Sequence, residues 1–193
     1  MKELAKILFK FRSYTPVPFV ILMLVFYNGN LLSWIIGLII LILGELLRFW
    51  GVSFAGSITR TTSSVKADQL VTAGPFAHVR NPLYVGNILI YLGFGIISLA
   101  LFPYLQIIAL VWFVFQYTLI VSIEEEFLES KFGQSYKDYK ANVNRIVPKL
   151  KAYKPENAGV IEPNYQKGLK SEMRTMQALG VILILTIIIH LVK

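Results

Sequence analysis

The chain has 193 residues, of which 55% are hydrophobic and only 16% charged; its net charge is +8 and it has no cysteine. That composition is far from the average of soluble domains. The missing thiols exclude disulfides, thiolate metal sites, cysteine nucleophiles and cysteine lipid anchors.

A bilayer core of about 30 Å needs roughly 20 apolar residues per helix. The first apolar run, Pro16 to Tyr27, is shorter than that. No small-residue cleavage site follows it, so it reads as a first transmembrane helix extended by Phe11 to Thr15, not as a signal peptide. The runs Leu31 to Trp50, Pro82 to Phe102, Tyr104 to Ile123 and Met176 to Val192 supply four more. The expected fold class is therefore all-α: a polytopic membrane helical bundle of about five transmembrane helices in a single membrane domain. Asn28-Gly29-Asn30 marks a tight hairpin between the first two helices, and Phe102-Pro103 marks a second hairpin.

Two polar stretches remain, and both must lie on the same face. Gly51 to Asn81 reads as a loop with one short helix, carrying Thr59, Thr61, Thr62, Ser63, Ser64, Lys66, Asp68 and the turn Ala73-Gly74-Pro75. In the second stretch Leu128 and Phe132 share a helix face, Gly133 breaks it, and Ser135 can cap a further helix bearing Tyr136, Tyr139 and Val143. A helix-break-helix at the membrane interface is expected there. Residues 151–175 read as an irregular connector, and 176–193 as the last transmembrane helix. With the N-terminus inside, 18 of the 19 basic residues fall on the cytosolic side and only Lys193 outside. The positive-inside rule accounts for that asymmetry. It leaves little charge that requires a nucleic-acid partner, and the basic face also suits anionic headgroups.

Chemistry is concentrated on the same face. Glu124, Glu125 and Glu126 follow an apolar helix directly; they are either a solvated helix end or a carboxylate site for a cationic ligand. The segment Leu70 to Asn87 leads into the third transmembrane helix. Pro82 suits the first turn of that helix, and Arg80 adds a guanidinium where free backbone donors attract anions. The ordinary alternative is a snorkelling Arg80, an interfacial Tyr84 and a packing Gly86. Glu45 and Arg48, three residues apart, read as a structural pair. His78 and His190 lie on opposite sides, so no histidine metal site is expected. No phosphate loop, hydrolase nucleophile elbow, His-Glu-x-x-His or dinucleotide fingerprint occurs.

Together these segments resemble the isoprenylcysteine carboxyl methyltransferase and phospholipid methyltransferase superfamily. Its members carry Arg-His-Pro-x-Tyr-x-Gly and, later, Glu-Glu-x-x-Leu-x-x-x-Phe-Gly-x-x-Tyr-x-x-Tyr-x-x-x-Val-x-Arg-x-x-Pro. The second pattern is complete here in Glu124, Glu125, Leu128, Phe132, Gly133, Tyr136, Tyr139, Val143, Arg145 and Pro148. The resemblance covers residues 65–150, the expected cofactor-binding and catalytic core. It implies S-adenosylmethionine as cofactor, with Gln69, Leu70, Val71, Phe76, Asn81, Pro82, Leu83 and Tyr84 lining it and Glu124 at its polar end. Arg80 suits the cofactor's carboxylate. Glu124, Glu125 and Arg145 are the candidate catalytic residues, with no metal required. The implied acceptor is a lipid or lipidated molecule, either a phospholipid headgroup amine or an isoprenylcysteine carboxylate. Asn81 stands where the usual histidine would be, as in the phospholipid amine N-methyltransferases, and Ile120 stands where the carboxyl methyltransferases carry an arginine. The competing expectation is a non-enzymatic small membrane transporter or scaffold. A transport path needs intramembrane polar groups, for which Gln106, Gln116 and Ser122 are the candidates. The sequence does not indicate an oligomeric state.

Overall fold

The computed structural model describes residues 2–56, 69–155 and 162–193. The loop expected over Thr59 to Asp68 lies outside the described residues. Among those described, the chain forms α1 (Lys2–Phe11), α2 (Val17–Val25), α3 (Leu31–Ala55), α4 (Pro82–Ser98), α5 (Tyr104–Phe132), α6 (Gln134–Asn142) and α7 (Tyr165–Val192), with a 3-10 turn over Gly74–Ala77. No β-strand occurs among them; a single parallel bridge joins Val79 to Asn144. The protein is all-α. Helices α3, α5 and α7 are long and apolar enough to cross a membrane, and α4 is apolar but only 17 residues long.

The N-terminal region differs from the single extended helix expected over Phe11 to Tyr27. α1 ends at Phe11, a turn follows in which Tyr14 N donates to Phe11 O (2.9 Å) and Val17 N to Tyr14 O (3.0 Å), and α2 then has nine residues. Pro16 and Pro18 have no N–H to continue a helix arriving from Phe11, and prolines fit best in a first turn. α1 presents Ala5, Leu8 and Phe9 to the protein. It exposes Leu4, Ile7 and Phe11 on another face and carries Lys2, Lys6 and Lys10 at helical spacing, the pattern of a helix lying at a membrane surface.

α3 starts where Asn30 caps it. Ser33 N donates to Asn30 Oδ1 (3.0 Å) and Asn30 N to Ser33 Oγ (2.9 Å), so two otherwise orphaned donors are satisfied. From there α3 and α4 run in close contact through glycines. A Cβ at Gly37 would lie 2.5 Å from Gly93 O, and one at Gly44 2.8 Å from Gly86 O. Small residues that let two backbones touch are the usual means of packing helices in lipid. The turn from α4 to α5 is held by Gln106, whose Nε2 donates to Gly95 O (2.9 Å) and Ala100 O (3.1 Å). Ser122 Oγ donates to Thr118 O within α5 (2.7 Å). Two of the three intramembrane polar groups noted in the sequence therefore serve the backbone.

At its far end α5 stops at Gly133, whose φ of 53° and ψ of −123° are accessible only to glycine at low cost, and α6 follows at once. This is the expected helix-break-helix, except that Ser135, expected as the cap, lies inside α6, which starts from Gly133 without a side-chain cap. α7 begins at Tyr165, eleven residues before Met176, so the connector is shorter than the sequence suggested. Asn164 Oδ1 accepts from Lys167 N (2.9 Å) to start the helix, and Asn164 N donates to Ser53 O (2.8 Å) to dock that start on α3. Further along, a Cβ at Gly168 would fall 2.3 Å from Ser53 Oγ, so α7 lies directly on α3.

Candidate functional site

The two motif segments meet at one end of the bundle, and main-chain bonds join them first. Arg80 N donates to Asn144 O (2.9 Å), Lys149 N to His78 O (2.9 Å) and Tyr153 N to Ala77 O (2.9 Å). The His78 ring extends the seam, Nδ1 donating to Lys149 O at 2.8 Å. Below the seam, Tyr136, Tyr139 and Val143 form a small core with Leu70, Leu128 and Phe132. Tyr139 donates its hydroxyl to Phe76 O at 2.7 Å. Burial pushes both the Tyr136 and Tyr139 phenols well above their ordinary range, and at Tyr136 the Glu125 carboxylate adds to the effect. Tyr139 is thus a hydrogen-bond donor throughout the physiological pH range.

The adjacent glutamates differ in environment because successive residues of a helix point about 100° apart. Glu125 is buried, its side chain 5% exposed, and is gripped from two sides. Arg80 donates Nε to Glu125 Oε1 at 3.0 Å and Nη2 reaches the same oxygen at 2.9 Å; Arg145 Nη2 bonds Glu125 Oε2. Arg80 Nη1 also donates to the carbonyls of Lys140 (3.0 Å) and Val143. The Arg80 guanidinium is therefore spent on protein acceptors. Arg145, 34% exposed, keeps an open edge. It contributes with Glu125, Glu126, Glu129 and Lys137 to a polar groove of about 550 Å³ between α5 and α6.

Glu124 faces α4. Tyr84 donates its hydroxyl to Glu124 Oε1 at 2.8 Å, and the Tyr84 ring stacks on Tyr117, centroids 4.6 Å apart at 28°. Both Glu124 and Tyr84 are only partly buried. The Arg12 guanidinium lies within electrostatic reach of both Glu124 and Tyr84. Glu126 is exposed and pairs with Lys2 of α1 at 2.5 Å.

The other expected site residues are spread around this centre. Asn81 donates Nδ2 to Arg145 O (3.1 Å), and Pro82 opens α4 as a buried residue. Leu83 turns toward α3, where it lies over Gly51. Gln69 is exposed, Leu70 belongs to the α6 core, and Val71 and Phe76 are half-buried.

One polar network is absent from the sequence expectations. Arg48, expected to pair with Glu45, stands 4.0 Å from it but donates Nη2 to both carboxylate oxygens of Glu172 at 2.9 Å. Arg48 Nη1 donates to Asn87 Oδ1 (2.5 Å), and Asn87 Nδ2 donates to Tyr117 Oη (3.1 Å). Arg48 and Glu172 are 124 positions apart, so no local pattern could have paired them. The one available signal was a charged residue in each of two helices that adjoin the membrane.

The fold and site define a class: a helical membrane protein with a carboxylate, tyrosine and guanidinium centre at one end of its bundle. The model of the phospholipid methyltransferase family matches residues 32–135, more than half of the 193 residues, and the chain belongs to that family. It is 35% identical over 122 residues to a protein-S-isoprenylcysteine O-methyltransferase of Tribolium castaneum, covering 62% of this chain and 43% of that one. A protein of the same name from Dictyostelium discoideum is 31% identical over 119 residues, covering 60% and 49%. The cobalt-zinc-cadmium resistance protein CzcN of Cupriavidus metallidurans is 32% identical over 99 residues, covering 51% and 44%. The chain thus spans just under half the length of these curated relatives. No solved structure matches it.

Proposed function

We propose that the chain is an integral membrane methyltransferase that uses S-adenosylmethionine to methylate a lipid or lipidated acceptor at the Tyr84–Glu124 site. The observation that carries this reading is the 2.8 Å bond from Tyr84 to Glu124, because it unites the two motif segments around a carboxylate. Family membership and the two relatives named as O-methyltransferases support the same reaction class.

The donor set suits this cofactor. The Glu124 carboxylate can accept from its ammonium group, and the stacked rings of Tyr84 and Tyr117 offer π faces to a cation. When bound, S-adenosylmethionine supplies a sulfonium methyl group whose in-line transfer forms the acceptor–methyl bond as the sulfur–methyl bond breaks. Tyr84 holds Glu124 in place, while the Arg80–Glu125–Arg145 clamp fixes Asn81 and the 144–145 strand of chain over it. Arg80 has its guanidinium on Glu125, so we assign it to holding this clamp; Arg145, with its open edge, and Arg12, within electrostatic reach of Glu124 and Tyr84, are the guanidiniums near an anionic group of the ligand. Gln69, Val71, Phe76 and Pro82 complete the surround, while Leu70 supports it from the α6 core and Leu83 from α3. Such a site works by positioning and by excluding water. A carboxylate acceptor attacks as it is; an amine must first give up a proton, and Glu124 is the carboxylate placed at the site to take it.

For topology we propose five crossings: the segment Phe11 to Tyr27 that holds α2, then α3, α4, α5 and α7, with α1 at the membrane surface and the N-terminus and the site on the cytosolic side. The distribution of lysine and arginine supports that orientation. The test is to incubate membranes holding the protein with methyl-labelled S-adenosylmethionine and extract the lipids. Label is expected in the lipid fraction, reduced about tenfold or more by Glu124→Gln, the effect of losing one charge-assisted hydrogen bond. An unlabelled lipid fraction with the wild type contradicts the proposal.

A further inference from the structure

Glu172 lies outside the family match at 32–135 and outside both motifs, yet it is fully buried. A carboxylate in that position demands a partner, and it has Arg48, whose side chain is only 12% exposed. The consequence reaches beyond the pair. A guanidinium can only donate, so the Asn87 group facing Arg48 must be its oxygen, and its NH₂ is thereby turned to Tyr117. Tyr117 in turn is the ring on which Tyr84 stacks, and Tyr84 holds Glu124. The chain of contacts runs from α7 through α3, α4 and α5 to the site.

We infer that Glu172 is a positioning residue for the Tyr84–Glu124 site, acting through Arg48, Asn87 and Tyr117, so that the C-terminal helix is a working part of the site. The inference rests on the proposed function only in taking Tyr84 and Glu124 as a wall of the cofactor site. With Glu172 neutral, Arg48 keeps only Glu45, 4.0 Å away, the Asn87 amide is free to turn over, and the Tyr117 hydroxyl keeps only its bond to Tyr91. Docking of α7 itself does not need the pair: the Asn164–Ser53 bond and the Gly168 contact hold it on α3 independently.

Two variants separate positioning from folding. Glu172→Gln leaves the buried Arg48 guanidinium with only Glu45 at 4.0 Å and can fail to fold, whereas the double Met variant, Arg48→Met with Glu172→Met made together with Glu45→Gln, removes all three charges, a change that is often neutral or stabilising for folding. Binding of S-adenosylmethionine to detergent-purified protein is measured for wild type, each of these variants, Tyr84→Phe and the combinations. The expected result is about fivefold weaker binding in the double Met variant at unchanged melting temperature, shrinking to less than about twofold when Tyr84 is already Phe, since residues acting in series are not additive. Equal binding by the double Met variant and wild type, or losses that simply multiply, overturns the inference. Hydrogen exchange on cofactor-free protein decides it independently. The double Met variant should exchange faster over residues 81–88, and the Asn164→Ala control should not. Acceleration confined to α3 and α7 overturns the inference, even if wild type binds no cofactor, which is the outcome that refutes the proposed function instead.

Discussion

At the scale of single residues, the three consecutive glutamates illustrate how helical phase divides labour. Glu125 is a buried anion between two guanidiniums, Glu124 a half-buried acceptor of one phenol, and Glu126 a surface partner of Lys2. Glu125→Gln should therefore lower stability by about 3–5 kcal/mol, because it leaves Arg80 and Arg145 uncompensated. Glu126→Gln should change it by less than about 1 kcal/mol. Thermal melts in detergent distinguish the two. The phenols of Tyr136 and Tyr139, held protonated by burial, give a second expectation. Below their ordinary pKa of about 10 they are protonated both folded and unfolded, so their contribution is complete and constant. Above it the unfolded chain ionises while the folded one does not, and stability falls as pH rises. Melts between pH 7 and 11 should show that alkaline decline, lessened in Tyr136→Phe. The sequence placed these residues near one another but could not say which glutamate was clamped. That depends on Arg80 and Arg145 arriving from segments 45 and 20 positions away.

Among the elements, legibility followed the strength of local signals. The Asn28-Gly29-Asn30 turn, Gly133 as a breaker and the apolar runs of α3, α4 and α5 each left a clear mark. The start of α7 did not, because residues 165–175 are polar and become helical through the Asn164 cap and docking on α3, a tertiary effect. The division of the first helix was obscured in the same way: apolar content masked what Pro16 and Pro18 do to the backbone. Two expectations belong here. Asn30→Ala removes the α3 capping box and should cost about 1 kcal/mol. Gly93→Leu would force a side chain where even a Cβ meets Gly37 O at 2.7 Å. It should separate α3 from α4 and abolish monodisperse protein in size-exclusion chromatography, whereas Gly180→Leu, with nothing within 4 Å of its Cβ, should not.

For the whole molecule, the sequence conveyed a helical membrane protein with its chemistry at one end, and the placement of basic residues supplied a proposed orientation that helix lengths alone do not. Because the chain has no cysteine, single introduced cysteines give unique labels. Lys151→Cys and Leu101→Cys should react with an impermeant maleimide from opposite sides of sealed vesicles. Labelling from the same side would refute the five-crossing topology. The proposed function rests on the meeting of Tyr84 and Glu124, forty positions apart. The most direct test is calorimetric titration of S-adenosylmethionine into purified wild type, Glu124→Gln, Tyr84→Phe and Glu126→Gln. Binding by wild type and Glu126→Gln, weakened about tenfold or more in Glu124→Gln and less in Tyr84→Phe, is the predicted result. Equal affinity in all four proteins, or no binding by any, would contradict the assignment of the site.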